Sequence, residues 1–355
     1  MLKKNESRKI TNKIKDFLQE KYKIQFIKQL GIGTFGEVYN VLMKNKLTLA
    51  MKIFKPIINE KYEKKINDEI KFSLNLKSNN IICGLKSEKH LIDKQIIYVL
   101  FMEKAKFVDL NLFLYNYLNY NFLEIKNKTK NCSWLYNFSE ETIQFFSYQI
   151  IKIFAFLDSN LLIHYDIKPG NFLLGDNFTI KLSDFSVTKK LLINQKYVTL
   201  QNGTYHFMAP EFYNENKEVI VSNAQKVDYF AFGCILFYMI SRKDLIEEIK
   251  DEKGNRIKAK KNDIEKFIIE GIEVINKLNY CEELKKLICD LIHIDANKRP
   301  NIRDLVDNYW VNKDYFLIQK IKNLNFNENL KIFIELQKLS FTSKRIKRRK
   351  KFNLA

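Results

Sequence analysis

Two short segments near the middle of the chain hold side chains that can act together on a phosphate. Residues 164–171 read HYDIKPGN, and residues 181–186, a predicted hairpin later, read KLSDFS. They supply two carboxylates and an amide, Asp166, Asp184 and Asn171. Phosphoryl transfer needs oxygen ligands for metal ions and a residue that orients the accepting hydroxyl, more than it needs covalent chemistry. The residue types and their spacing therefore favour phosphoryl transfer.

A glycine-rich window further upstream favours phosphate binding. Gly31, Gly33 and Gly36 are three of the ten glycines, and they lie between two strand-like runs. A hairpin turn without side chains lets backbone amides approach a phosphate closely. A strand-like run rather than a helix follows Gly36, which argues against a dinucleotide-binding fold. Taken alone, the pattern also fits an ordinary glycine hairpin.

A lysine and a glutamate complete the upstream set. Lys52 ends the run LAMK on the next predicted strand, where its ammonium can reach the α- and β-phosphates of a nucleotide. Glu69, in the helical run at residues 61–76, is the natural carboxylate to hold that ammonium. Either residue alone also fits a solvated surface charge, so the prediction depends on their combination with residues 164–171.

Taken together, these segments resemble the serine/threonine branch of the eukaryotic protein kinase family. HYDIKPGN corresponds to the family motif HRDxKxxN, and DFS at residues 184–186 corresponds to DFG. Further family motifs follow in the same order: Gly203-Thr204, Ala209-Pro210-Glu211, Asp228 to Gly233 and Lys298-Arg299-Pro300. Lys168 together with Thr204 is typical of serine/threonine-directed members. The resemblance covers residues 24–311.

The resemblance implies an α+β fold of the bilobal protein-kinase type. A small N-terminal lobe (24–105) would hold a β-sheet and one helix, and a larger lobe (106–311) would be mainly helical. Basic extensions, of which the first reads as an extension or a short helix, would flank this catalytic domain at residues 1–23 and 312–355. Hydrophobic periodicity agrees with this division. It predicts strands at 24–30, 37–43, 47–54 and 96–102, helices at 61–76, 140–157, 224–240, 263–278 and 282–293, strand-like pieces within 172–182 and an insertion at 121–139.

The resemblance also implies a role for each candidate site residue. Asp166 would orient the substrate hydroxyl, Lys168 would neutralise the γ-phosphate, and Asn171 with Asp184 would hold Mg²⁺. Lys52, held by Glu69, would position ATP. The other residues expected around the nucleotide are the glycine-rich loop, the apolar covers of the adenine and two backbone groups of the hinge: Gly31, Ile32, Gly33, Gly36, Val38, Ala50, Leu173, Glu103 and Ala105. Supporting roles fall to a buried ion pair, Glu211 with Arg299, and to Asp228, which would anchor the catalytic loop.

Three positions depart from the family pattern. Ser186 replaces a glycine whose backbone often has unusual dihedral angles, and Ser73 replaces an apolar residue one turn after Glu69. Tyr165 replaces an arginine that clamps a phosphorylated activation segment, so the chain reads as a non-RD kinase. A phenol supplies no cationic fork. We therefore predict that the segment at residues 186–208 is ordered by its own contacts. Activity should not depend strictly on its hydroxyl acceptors, Thr188, Tyr197 and Thr199.

Composition limits where such a protein acts. The 355 residues are 46% hydrophobic and 14% aromatic, enough for a substantial core. The longest apolar run, residues 229–240, is too short to span a bilayer, and the polar N-terminus lacks a signal-peptide core. The five cysteines contain no CxxC pair, which suggests a reducing compartment. These features predict an intracellular protein, cytoplasmic or nuclear, without a transmembrane segment.

The formal net charge of +20 comes mainly from lysine and reads as coding bias. The run KRIKRRKK at residues 344–351 is an exception because it is rich in arginine. It would serve as a nuclear-import signal or contact an anionic partner, or equally be a solvated chain end. No basic face interleaved with aromatic residues supports a nucleic-acid-binding protein.

Two functional classes therefore remain. One is an active kinase that transfers phosphate from ATP to serine or threonine in proteins, and the other is a pseudokinase that binds nucleotide or acts as a scaffold. Intact Lys52, Asp166, Asn171 and Asp184 favour the active kinase.

Overall fold

The computed structural model describes residues 10–115, 138–192, 194–200, 203–214, 216–257 and 259–313, without the side chain of Asn177. Most of the predicted insertion and the whole basic run at 344–351 lie outside these ranges. Within them the chain forms a smaller lobe built on one sheet and a larger, mainly helical lobe. No helix of the described part is long and apolar enough to cross a membrane.

The smaller lobe is built on a five-stranded antiparallel sheet with strand order β1-β2-β3-β5-β4. The strands are β1 (Gln25–Ile32), β2 (Gly36–Leu42), β3 (Thr48–Phe54), β4 (Gly84–Ile92) and β5 (Gln95–Met102). Four of them confirm the predicted strands to within two residues. The sequence analysis missed β4, whose run GLKSEKHLI is too charged to stand out as apolar alternation.

The long helix of this lobe is α2 (Glu60–Asn75), and Asn59 caps its N-terminus. The side chain of Asn59 accepts a hydrogen bond from Tyr62 N at 2.8 Å, and Glu60 and Glu63 place negative charge in the first turn. One face of the helix is buried, and it carries Tyr62, Ile66, Glu69, Ile70 and Ser73. That face packs against β4 and β5 and brings Glu69 to the cleft between the lobes.

A further helix, α1 (Asn12–Tyr22), covers the outer face of the sheet. Thr11 caps its start, and Lys23 ends it in the left-handed conformation with a φ of 51°. Ile14 and Leu18 are buried in a cluster that includes Val41 and Phe101. Residues read from the sequence as an extension or a short helix therefore form a helix that is part of the smaller lobe's core.

We expect Leu18→Ala to lower the free energy of unfolding by about 2 to 3 kcal/mol, because a fully buried side chain leaves a cavity that the helix can fill only in part. Glu20→Ala, an exposed change on the same helix, should alter stability by less than about 0.5 kcal/mol. Urea titration followed by fluorescence measures both. Equal stability of the two variants would mean that α1 does not belong to the cooperative unit.

The larger lobe is organised around one helix that is apolar on every side. Its helices are α3 (Glu140–Ser159), α4 (Lys226–Ser241), α5 (Lys261–Lys277), α6 (Glu282–Leu291), α7 (Ile302–Val306) and α8 (Tyr309–Asn312), and a further helix begins at Leu110. Nearly all of α4 is buried, as expected for a helix without a polar face. Gly233 lets α4 approach the end of α6, since a Cβ there would lie 2.6 Å from Ile292. The predicted helices are confirmed, with ends shifted by a few residues.

The larger lobe also contains short two-stranded ladders. They are β6 (Leu162–Ile163) with β9 (Lys189–Lys190), β7 (Phe172–Leu174) with β8 (Ile180–Leu182), and β10 (Tyr197–Thr199) with β11 (Glu218–Ile220). The β7–β8 hairpin is the predicted strand-like piece. It lies between the two segments first identified as reactive and so brings them to one place.

Candidate active site

A cleft of about 770 Å³ lies between the lobes, and every candidate site residue lines it. The smaller lobe contributes the glycine-rich loop, Val38, Ala50, Lys52 and Glu69, and the connection between the lobes contributes Glu103 and Ala105. From the larger lobe come the floor and its acids: Asp166, Lys168, Asn171, Leu173 and Asp184. Residues up to 153 positions apart in sequence are therefore brought into a single cavity.

Asp166 is the centre of a dense hydrogen-bond network on the cleft floor. Its Oδ1 accepts from the Thr204 hydroxyl at 2.6 Å and from Thr204 N at 3.1 Å. Its Oδ2 accepts from Lys168 Nζ at 2.7 Å and from Asn171 Nδ2 at 3.1 Å. Burial alone would raise the pKa of Asp166, but Lys168 and Thr204 outweigh burial and hold that pKa below its usual range. Asp166 is therefore a carboxylate at neutral pH.

The roof of the cleft carries a buried ion pair. Lys52 on β3 contacts Glu69 of α2, and its Nζ lies 3.5 Å from Asp184 Oδ1. Burial alone would lower the pKa of Lys52, but the two carboxylates outweigh burial and raise it. Burial raises the pKa of Glu69 to about 7, although the Lys52 ammonium opposes that rise. The ammonium is thus held charged between the helix and the cleft floor.

The turn that carries Asp184 differs from the sequence-based expectation. The left-handed residue is Asp184 itself, with a φ of 63°, and Ser186 is not in the left-handed region. Ser186, which replaces a glycine of the family pattern, therefore carries its Cβ without left-handed backbone strain. Aspartate tolerates this conformation better than most residues because its short polar side chain bonds locally. The Ser186 hydroxyl contributes instead to lowering the pKa of Asp184, against burial and alongside Lys52.

The donor set around Asp184 and Asn171 fits a magnesium ion. The amide nitrogen of Asn171 is committed to Asp166, to its backbone oxygen at 2.7 Å and to Oδ2, so the amide oxygen is left as a ligand. Asp184 Oδ1 is buried and accepts no hydrogen bond from the described residues, although Lys52 Nζ lies 3.5 Å away. Mg²⁺ prefers oxygen ligands, and it often takes one or two protein groups with the rest from water and phosphates. No cluster of three or more His, Cys, Asp or Glu that could hold a metal occurs in the described ranges.

The apolar residues that the resemblance implies around a nucleotide base also line the cleft. Val38, Ala50 and Leu173 line it, as predicted from the resemblance. The side chain of Glu103 is already committed, since it accepts from Cys83 N at 2.8 Å and from Lys181 Nζ at 2.9 Å. Glu103, which lies in the connection between the lobes, therefore forms hydrogen bonds to Cys83 of the smaller lobe and to Lys181 of the larger lobe.

Some residues of the cleft were not identified as site residues from the sequence. Thr204 was read only as a marker of the serine/threonine branch, yet it donates twice to Asp166. Asp109 lines the cleft and also accepts from Leu112 N at 2.8 Å, capping the helix that begins at Leu110. An acid three residues ahead of a helical amide is a recognisable cap signal, but it does not by itself indicate a cleft.

Two buried supports hold the floor in place. Asp228 of α4 accepts from the backbone of the catalytic loop, His164 N at 2.7 Å and Tyr165 N at 2.9 Å, as the resemblance implies. Arg299 forms a two-pronged pair with Glu211, with nitrogen–oxygen distances of 2.7 and 3.2 Å. Burial raises the pKa of Asp228 to about 7. The hydrogen bonds from His164 N and Tyr165 N oppose that rise, because they stabilise the charged carboxylate.

The activation segment is anchored by strand pairing and apolar contacts. β10 pairs with β11, and Val198 and Leu200 are buried in the main core of the larger lobe. The Tyr165 side chain is buried too, with its ring edge-on to Phe212 at 6.3 Å. Where an arginine would clamp a phosphate, this chain thus has an apolar contact.

The three acceptor hydroxyls of the activation segment differ in their exposure, and the nearby lysines Lys65 and Lys189 differ in their contacts. The Thr188 hydroxyl is buried, whereas Tyr197 and Thr199 are exposed. Lys189 Nζ lies 3.5 Å from Thr199 O, but Lys65 Nζ lies over a ring of the glycine-rich loop instead. Lys189 therefore contacts another part of the activation segment, whereas Lys65 contacts the glycine-rich loop.

His164 should give the protein an acid-sensitive stability. It is fully buried, its Nδ1 accepts from Asp166 N at 3.3 Å, and its Nε2–H faces Ser183 O at 3.2 Å. Burial lowers its pKa, despite Asp166 and Asp184 nearby. Below about pH 6.5 the unfolded imidazole binds a proton that the folded one does not, so the free energy of unfolding falls as pH drops.

We expect His164→Gln, which keeps one donor and one acceptor, to weaken this dependence. Between pH 7.5 and 5.5 the variant should lose about 1 kcal/mol less stability than the parent chain, as measured by urea titration at each pH. Identical losses in the two proteins would contradict the assignment of a neutral, buried His164.

Comparison with known proteins shows what the chain as a whole is similar to. A family model described as "Protein kinase domain" matches residues 24–311. The chain is 28% identical over 316 residues to "Probable serine/threonine-protein kinase nek3" of Dictyostelium discoideum, covering 86% of this chain and 25% of that protein. It is 26% identical over 287 residues to "3-phosphoinositide-dependent protein kinase B" of the same organism, covering 79% and 27%. It is 28% identical over 293 residues to "Aurora kinase" of Schizosaccharomyces pombe, covering 81% and 70%. The chain thus spans about a quarter of the length of the two Dictyostelium relatives, 25% and 27%.

Proposed function

Because this chain belongs to the protein kinase domain family, we propose that it transfers the γ-phosphate of ATP to serine or threonine hydroxyls of proteins. The observation that carries the proposal is the network on the cleft floor. It joins Asp166, Lys168 and Thr204 beside the two oxygen ligands, Asn171 and Asp184. Relatives with serine/threonine kinase names support the same reading.

Each residue has a role that follows from its surroundings. Asp166, charged at neutral pH, accepts a hydrogen bond from the substrate hydroxyl and orients its oxygen toward the phosphate. Lys168, 2.7 Å from Asp166, places a positive charge where the transferred group gains negative charge. Lys52 holds the α- and β-phosphates while Glu69 keeps its ammonium in place.

Asn171 and Asp184 would hold magnesium, which when bound neutralises the phosphate oxygens during transfer. Lys52 lies beside Asp184, so one cluster of charges can bind both the phosphates and the ion. Val38, Ala50 and Leu173 bind the base by apolar contact, and the backbone of Glu103 and Ala105 is available to its polar edge.

The pairing of Lys168 with Thr204 supports serine and threonine as acceptors. The Thr204 hydroxyl bonds Asp166 and receives Lys168 Nζ at 2.9 Å, so it closes the floor next to the reacting carboxylate. Because this pairing of lysine and threonine is typical of serine/threonine-directed members of the family, it supports serine and threonine as the acceptors.

The proposal is tested with the purified chain, ATP, Mg²⁺ and a degenerate peptide array with Ser, Thr or Tyr as the acceptor. We expect labelling of Ser and Thr peptides that is lost in Asp166→Ala. Nucleotide binding without any transfer would favour a pseudokinase, and preferential labelling of Tyr peptides would overturn the serine/threonine assignment.

We expect activity to persist without phosphorylation of the activation segment, because β10–β11 pairing and the buried Val198 already hold that segment. The chain with Thr188, Tyr197 and Thr199 replaced by Val, Phe and Val should retain turnover within about tenfold of the parent, a barrier change under about 1.4 kcal/mol. Mass spectrometry confirms that the segment is unmodified. A hundredfold loss that is reversed by restoring one acceptor would show a phosphorylation switch.

We infer that this activity lies inside the cell, in the cytoplasm or the nucleus, because ATP and a reducing environment are found there. A fluorescent fusion with and without residues 344–351 distinguishes the compartments. Loss of nuclear signal on removal of that run would identify an import signal, and an unchanged distribution would exclude one.

A further inference from the structure

The tip of the glycine-rich loop rests on helix α2. The ring of Phe35 stacks on the ring of Tyr62, with centroids 5.6 Å apart and planes inclined by 25°. Lys65, one turn further along α2, places its Nζ 5.8 Å from the centroid of the same ring. Phe35 is only half-buried, but it packs against a buried cluster that includes Tyr62, Ile66 and Ile70 of α2. The loop tip is therefore in contact with the helix as well as with its own sheet.

The backbone of the loop is held at the same place. The carbonyl oxygen of Phe35 accepts from Lys55 N at 2.9 Å and from the Tyr62 hydroxyl at 3.3 Å. Lys55 Nζ donates to Gly33 O at 3.2 Å and to Thr34 O at 3.0 Å. These bonds fix the carbonyl groups of Gly33, Thr34 and Phe35, which belong to the part of the loop that lines the cleft.

Tyr62 and Glu69 belong to the same buried face of α2, two turns apart. Because a helix moves as a rigid element, a displacement of Tyr62 also displaces Glu69. Glu69 needs an accurate position, since it is buried and its charge is stabilised by contact with Lys52. The loop tip, the helix and the Lys52–Glu69 pair thus form a continuous chain of contacts.

We propose that Phe35 and Tyr62 are positioning residues that couple nucleotide binding in the glycine-rich loop to the placement of α2, and so to the Lys52–Glu69 pair. The inference rests on the proposed function only in taking a nucleoside triphosphate as the ligand of the cleft. When phosphates draw the loop inward, the Phe35 ring holds the N-terminal half of α2 against the sheet. When the helix is displaced, the loop loses its support.

The test compares binding of a fluorescent, non-hydrolysable ATP analogue with Mg²⁺ to the full chain and to matched variants. Phe35→Leu and Tyr62→Leu each remove one ring and keep an apolar side chain. Tyr62→Phe removes only the hydroxyl and serves as the conservative rescue. Tyr98→Leu is the control, because Tyr98 has similar burial, belongs to the same cluster and contacts Glu63 of α2 rather than the loop.

Phe35→Leu and Tyr62→Leu should each weaken analogue binding about tenfold. The double variant should bind no more than about threefold more weakly than either single variant, because once one ring is removed the other has no partner left to lose. Tyr62→Phe should stay within about threefold of the parent, and Tyr98→Leu within about twofold even though its melting temperature falls. Hydrogen exchange gives an independent readout: the analogue should protect α2 amides in the parent chain but not in Phe35→Leu.

Parent-like affinity of both ring variants would overturn the inference, and so would losses that multiply to about a hundredfold in the double variant. Loss of protein stability without loss of analogue affinity would show a purely structural contact and would also overturn it. Both readouts are independent of phosphate transfer. A parent chain that binds the analogue and shows the coupling but transfers no phosphate would disprove the proposed function alone.

Discussion

Asp184→Asn should lower phosphate transfer by about a thousandfold or more, a barrier increase of about 4 kcal/mol, while the protein stays folded. The substitution removes a negative charge that Lys52 and the Ser186 hydroxyl stabilise and that would hold magnesium. Asparagine, like aspartate, tolerates the left-handed conformation found here, so the backbone is not strained. Transfer of labelled phosphate and thermal unfolding, measured on the same sample, separate the two effects.

Asp176→Asn provides the control for this change. Asp176 lies eight residues earlier, is exposed and pairs with Lys106 on the surface, so the same chemical substitution should leave transfer unchanged. Near-parental transfer by Asp184→Asn would remove Asp184 from the reaction. A loss of activity accompanied by unfolding would mean that its carboxylate is structural instead.

Arg299→Met should lower the free energy of unfolding by about 3 to 5 kcal/mol, because it leaves a buried carboxylate without its partner. Arg299 is almost fully buried and uses its guanidinium completely. It donates to both oxygens of Glu211 and to three backbone oxygens, those of His293, Lys226 and Ile294. Its charge also lies 4.9 Å from the Phe230 ring.

Arg303→Met is the matched control, since this arginine is exposed and should change stability by less than about 0.5 kcal/mol. Adding Glu211→Leu to Arg299→Met should recover part of the loss, because no charge is then left buried. Urea titration measures the parent chain, the three single variants Arg299→Met, Arg303→Met and Glu211→Leu, and the double variant. If the double variant is as unstable as the sum of the two single changes, the pair has no coupling and the assignment fails.

Much of the fold and most of the cleft could be predicted from local signals. Glycine spacing, the run ending at Lys52 and the motif at residues 164–171 each depend on a few neighbouring residues. The family resemblance implies that these residues act on one bound nucleotide, so it also predicts that they lie around one cavity. The long helices were found because their apolar periodicity extends over several turns.

Features that depend on distant contacts were not predicted. The charged strand β4 is a strand because β5 pairs with it, not because of its own pattern. Thr204 could not be placed on Asp166 from sequence alone, since 38 positions separate them. For Ser186 the family pattern itself suggested strain, but the neighbouring aspartate takes up the unusual backbone angle. The packing of α1 was also missed. Only two residues of this helix, Ile14 and Leu18, are buried, and such a short apolar stripe is hard to recognise among the surrounding charged residues.

That packing also matters for handling the protein in solution. The family match begins at residue 24, but α1 ends at Tyr22, so a chain trimmed to the matched range would lose the cover of the sheet. Val41 and Phe101, buried in the whole chain, would then face water as part of one apolar surface. Surfaces of this kind promote self-association and precipitation. A chain shortened to the range of the family match would tend to aggregate while keeping every candidate residue of the cleft.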